Sequence, residues 1–283
     1  MINQIEQTVK KLSEEIWTDI KAASDYKLSF GEESITDKVL LELARLNSSS
    51  IKIIPFGKKE ESKYGPDFFW IIGTGNKWTS FLIQAKKITH KDQKYNALNY
   101  KGKKSEKTQL ELLDDFSIKT GILACYCFYN SEYEGIGHND ILCTQCKSNT
   151  RIDINILGWT ITSIDNIKKL KKQAEKLDPK KKTFKFKEVH EKNYETIPLS
   201  CLFHKLGDDI LNKNQVSQKA TDSPEISDLP WYKKLIYTET AQSHYDKIMA
   251  EIKAKDKNKS KNLPKSIVFM DMGGYDVHLN LTE

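Results

Sequence analysis

Asp67, Gln84 and Lys86 are the residues of this chain whose types and spacing best suit chemistry. Asp67 ends Tyr64-Gly65-Pro66-Asp67 and leads into Phe68-Phe69-Trp70-Ile71-Ile72; Gln84 and Lys86 lie in Phe81-Leu82-Ile83-Gln84-Ala85-Lys86-Lys87. Between the two runs stands Gly73-Thr74-Gly75-Asn76, a turn signal between aromatic and β-branched stretches, so the segment predicts a β-hairpin. If Gly75-Asn76 is a two-residue turn, 74 faces 77, 73 faces 78 and 67 faces 84. Directly opposed residues share a face, with Cα atoms about 4.5–5.5 Å apart, and Lys86, two positions on, projects to the same face as Gln84. A carboxylate, an amide oxygen and an ammonium would then meet at the open end of the hairpin. Such oxygens suit a hard cation, and the ammonium suits developing negative charge. A one-residue slip or a glycine bulge would undo the arrangement. The alternative is a structural polar cluster at a strand end.

The elements around the hairpin must hold it in place. Val9, Leu12, Ile16 and Ile20 predict an amphipathic helix over 8–24, and Ile35, Val39, Leu40, Leu43 and Leu46 predict a second from about Glu32 to Leu46. Glu32 shares the direction of that second apolar stripe, while Glu33 lies about 100° away at its edge. A carboxylate on the core side of its helix needs a cation or hydrogen bonds, so one of the two could join Asp67; otherwise the pair complements the helix dipole. Strands are predicted at 51–56, 67–72, 78–88, 121–129, 154–161 and 266–271, and helices at 108–118, 164–177 and 239–254. Residues 89–104 read as a mobile loop and 213–229 as a linker. Ten lysines between Lys168 and Lys187 read as a solvated helix face and loop, with contact to a DNA backbone as the alternative. Gln109 falls on the stripe of Leu112, Leu113 and Phe116, either reaching the same pocket or buried as a capped amide.

Helix-borne Glu32/Glu33, then Pro66-Asp67, then Gln84-Ala85-Lys86 on the next strand resembles the PD-(D/E)xK nuclease superfamily, over roughly residues 28–130. Gly31-Glu32-Glu33, Gly65-Pro66-Asp67, Gln84-Ala85-Lys86 and Cys127-Phe128-Tyr129-Asn130 further resemble an uncharacterised bacterial family within it. The resemblance implies an α/β fold with a restriction-endonuclease-like core of order αβββαβ, a central mixed sheet flanked by helices, and additions at both ends. It implies an N-terminal helical addition over 1–30, a nuclease core over 31–185 and a C-terminal elaboration over 186–283. Asp67 and Gln84 would be ligands of magnesium or manganese, with the Ala85 carbonyl a further oxygen and Glu32 or Glu33 completing the set. Lys86 would orient or help deprotonate water. The implied activity is phosphodiester hydrolysis, in DNA more than RNA, by an effector whose specificity comes from a partner protein or homo-oligomer, with bacterial anti-phage defence as the setting. Gln84 departs from the family's acid: an amide supplies oxygen without charge, which weakens cation binding and leaves open a silent module that binds nucleic acid or protein.

Composition bounds the remainder. At 38% hydrophobic and 10% aromatic the chain is globular, and no apolar run approaches the ~20 residues of a membrane span. The N-terminus lacks a secretory pattern, so a cytoplasmic protein without membrane contact is expected. The net charge of +6 favours polyanionic partners. Five cysteines, an odd number, argue against a disulfide framework. Cys143-Thr144-Gln145-Cys146 and Cys201-Leu202-Phe203-His204 have the ligand types of a structural zinc site, with His138 as an alternative fourth ligand; in the other reading Cys143 and Cys201 pack in the core and His204 lies at the surface. Cys125 and Cys127 are expected as packing. Neither a nucleotide-binding Gly-x-x-x-x-Gly-Lys loop nor a Gly-x-Ser-x-Gly or His-Glu-x-x-His motif occurs.

Overall fold

A computed structural model describes residues 2–46, 49–55, 66–96, 98, 101, 106–131, 154–178, 181–190, 195–210, 229–238, 240–256, 266–273, 277 and 279. The hairpin is present as β2 (Phe68–Thr74) and β3 (Lys77–Thr89). Phe68 faces Ile83, Gly73 faces Trp78 and Thr74 faces Lys77, the register expected from a Gly75-Asn76 turn. Gly75 takes φ +53° while Asn76 keeps negative φ, so the glycine stands at the first turn position, where a side chain would be disfavoured.

Around this hairpin, β1 (Ile51–Pro55), β4 (Lys94–Asn96), β5 (Leu123–Tyr129), β6 (Trp159–Ser163), β7 (Thr183–Lys185), β8 (Ile197–Pro198) and β9 (Ser266–Asp271) complete a mixed sheet. Its order is β1-β9-β2-β3-β5-β6-β8, with β4 and β7 pairing beyond the far end of β3. β3 pairs antiparallel to β2 and parallel to β5, and the apolar run of β5 is buried on both faces, as parallel pairing requires.

Helices cover both faces. α1 (Ile2–Asp25), α2 (Glu32–Arg45) and α6 (Leu199–Ile210) lie on one side, where Trp70 meets Trp159 and Phe203. α3 (Gln109–Thr120), α4 (Ile164–Leu177) and α7 (Ala241–Asp256) lie on the other, where Phe69 meets Phe116 and Ser80 Oγ lies 2.7 Å from His244 Nδ1. The expected stripes are buried at Val9, Leu12, Ile16 and Ile20 in α1 and at Ile35, Val39 and Leu43 in α2, while Leu40 and Leu46 are only partly buried at the edge of the core. The architecture is therefore α/β, a mixed central sheet between helical layers.

Three expectations need correction. The polar stretch 89–104 is not simply a loop: it holds β4, where buried Tyr95 packs at a tilt against Phe128 and Ile88 faces Tyr95, and Leu98 O accepts from Tyr126 OH at 3.0 Å. Residues 154–158 are a 3-10 turn rather than strand, since Gly158 packs so closely on Ser13 of α1 that a Cβ would fall on its carbonyl. The lysine-rich stretch from Lys168 to Lys187 supplies β7 and the start of α5 (Phe186–His190) as well as α4. The linker expected over 213–229 lies outside the described residues apart from Leu229.

Candidate functional site

The site begins where a strand pairing stops. β2 begins only at Phe68, opposite Ile83, whereas β3 runs on to Thr89 and stays paired with β5 as far as Lys87–Tyr129. Beyond Ile83, no strand among the described residues receives the amides on the edge of β3 that faced β2, and buried N–H groups need acceptors. Two carboxylates take that place. Asp67 Oδ2 accepts from Ala85 N at 2.7 Å, and Glu32 Oε2 accepts from Lys87 N at 2.9 Å. Asp67 is itself fixed by its own N–H, which donates to Ile83 O at 2.7 Å.

The even-numbered side chains of β3 fill the notch. Gln84 is fully buried, and its Nε2 donates to Asp67 Oδ2 and, at 3.2 Å, to Ala85 O. Its Oε1 is buried with no hydrogen-bond partner. Lys86, 8% exposed, donates from Nζ to Gln109 Oε1 at 3.0 Å and lies 3.7 Å from Glu32 Oε1. Glu32 thus holds one oxygen toward a backbone amide and the other toward the lysine, while Gln109 approaches from the opposite helical layer.

Each outer residue is placed by its helix. Thr36 donates to Glu32 O at 3.0 Å and its hydroxyl pairs with Tyr129 OH at 3.1 Å, which ties the first turn of α2 to β5 and aims Glu32 at β3. Gln109 is the first residue of α3, whose start is fixed by a capping box between Thr108 and Glu111. Burial holds the Tyr129 and Tyr126 hydroxyls well above their ordinary range, and the nearby Asp67 and Glu32 charges push the same way. Burial pulls the Lys87 ammonium below its usual range, with Glu32 opposing.

Asp67, Gln84, Lys86, Glu32 and Gln109 are therefore brought together. Glu33 is exposed. Helical projection separated the two glutamates in the same sense. Thr36, Tyr129 and the Lys87 amide were missed; the 93-residue separation of Thr36 and Tyr129 leaves no local pattern to find them by.

The expected zinc site is not assembled among the described residues, because Cys143, Cys146 and His138 lie outside them. Cys201 is buried in α6, and His204 Nδ1 lies 3.0 Å from Glu6 Oε1 of α1. Cys125 and Cys127 are buried, free thiols whose pKa values burial raises.

For a divalent cation the fitting donors are Asp67, the Ala85 carbonyl and Gln84 Oε1. The bare, buried Oε1 is the observation in favour of that fit, since an unpartnered acceptor there is costly. Among the described residues no group of three or more His, Cys, Asp or Glu side chains forms a metal cluster; the candidate donor set instead depends on an amide and a backbone carbonyl.

A match to a family spans residues 5–270, and the chain belongs to it: the family of unknown function DUF6615. No curated protein and no solved structure matches significantly.

Proposed function

We propose that this chain is a metal-dependent nuclease on a restriction-endonuclease-like core, hydrolysing phosphodiester bonds in DNA. The observation that carries the reading is the notch in β3: two carboxylates from separate elements seated on its free edge, beside a buried amide with a bare oxygen and a buried lysine. Asp67, Gln84 Oε1 and the Ala85 carbonyl would hold magnesium or manganese, which lowers the pKa of bound water and polarises a phosphoryl oxygen. Lys86 offers the cation that offsets charge developing on the phosphate and orients the attacking water. Glu32 and Gln109 fix the Lys86 ammonium, one from each helical layer, so that its charge is preorganised. The chain acts in the cytoplasm as an anti-phage effector, with target choice supplied by a partner or by self-association; no described helix is long and apolar enough to cross a membrane.

One observation favours a second reading, a silent module that binds nucleic acid or protein. Gln84 replaces an acid, and its Nε2 bonds to Asp67, the carboxylate that a cation would need. Plasmid cleavage in magnesium or manganese by wild type and Lys86→Ala separates the two. A nuclease nicks and loses that activity with Lys86; a silent module nicks in neither form and binds DNA equally in both.

A further inference from the structure

Half of the Gln84 amide is used and half is not. Nε2 serves two acceptors, Asp67 Oδ2 and Ala85 O, while Oε1 is buried with none. The opposite orientation would bring Oε1 against a carboxylate and a carbonyl, three oxygens with no hydrogen among them. That arrangement is repulsive unless a cation stands between them, and with one it becomes the oxygen set that a hard divalent ion takes. The two orientations differ by a half-turn of χ3, a broad two-fold torsion. One orientation is favourable without a cation and the other with it.

We propose that Gln84 is a two-position, cation-responsive ligand: its NH2 cross-links Asp67 to the Ala85 carbonyl in the empty site, and the amide turns over to present Oε1 when a divalent cation enters. This rests on the nuclease reading in one respect, that the notch is a divalent-cation site. The glutamine also acquires a reason. A glutamate here would set a second buried carboxylate against Asp67, binding cations more tightly but leaving an unstable site without them, whereas the amide supplies its own donor.

The direct test is NMR on the full-length, 15N-labelled protein with Mg2+ alone. In chelator the Gln84 NH2 is identified by its NOE to the Ala85 backbone amide proton, since both donate to Asp67 Oδ2. Millimolar Mg2+ is expected to remove that NOE. The Gln84→Glu variant is expected to melt lower than wild type in chelator and to regain stability at a Mg2+ concentration about tenfold lower than wild type needs, because ligand charge tunes affinity. An NOE that persists in Mg2+, or Mg2+ that perturbs no resonance of Asp67, Gln84 or Ala85, overturns the proposal. If Gln84→Glu fails to fold, the wild-type NOE decides alone. Plasmid nicking run in parallel keeps the two claims apart. Loss of the NOE without nicking retains the turning amide and removes the nuclease; nicking with a persistent NOE does the reverse.

Discussion

Glu32 and Glu33 are adjacent in sequence but differ in surroundings, so their substitutions should differ in effect. Glu32 bonds the Lys87 amide and approaches the Lys86 ammonium, whereas Glu33 is exposed. Glu32→Gln is expected to reduce metal-dependent cleavage by about 10²-fold, the scale seen when one preorganised electrostatic contact is lost, while Glu33→Gln stays within about twofold; single-turnover cleavage measures both. Asp67→Ala leaves the Ala85 N–H without its acceptor and is expected to cost about 1–3 kcal/mol of stability, read from urea unfolding, where a purely catalytic aspartate would cost nothing. The meeting of Asp67 with Gln84 was legible in part: the counted register holds from Thr74–Lys77 to Phe68–Ile83, and the two side chains meet just beyond it, where the Asp67 N–H bonds Ile83 O. Glu32 was legible because a carboxylate on an apolar stripe must be received by something. That Glu32 lands on the Lys87 amide was not legible: it depends on β2 beginning only at Phe68 while β3 continues past Ile83, and a strand's limits are set by tertiary pairing.

At the scale of elements, the sequence reads well where periodicity is long and poorly where pieces are short. The stripes of α1 and α2 recur over several turns, and their buried faces follow. β4 and β7, three residues each, carry too few alternations to stand out from polar, lysine-rich surroundings. They form because Tyr95 and Phe184 lie opposite each other and both bury, with Ile88 continuing the row. The 3-10 turn before β6 depends likewise on a close approach that one glycine permits. Gly158→Ala drives a methyl group into the Ser13 backbone of α1, and overpacking of this kind costs about 1–3 kcal/mol. Thermal melting is expected to show that loss. Melting unchanged from wild type would mean that α1 does not pack on this turn.

Over the whole molecule, β9 ties the far end of the chain into the sheet. It lies between β1 and β2, antiparallel to one and parallel to the other, so removing it would leave two strands without their shared partner. Truncation before Ser266 is expected to abolish folding, judged by circular dichroism, rather than to trim a peripheral addition. A buried histidine contributes to the response to acid. His190 is buried against Phe186 and Thr160, and burial lowers its pKa from 6.5 to about 3. An unfolded chain therefore binds the proton first as pH falls below 6.5, so stability is lost between that value and about 3, on the order of several kcal/mol in all. His190→Gln is expected to make the pH dependence of melting shallower over that window, with buried His244 still contributing to it. The chemistry of the notch is tested by cleavage of supercoiled plasmid and single-stranded DNA by wild type and Lys86→Ala, with magnesium, manganese or chelator. Wild type is expected to nick in either metal and not in chelator, and a folded Lys86→Ala protein is expected not to nick at all. Nicking that survives the loss of Lys86, or a folded wild type that cleaves neither substrate in either metal, would contradict the nuclease reading.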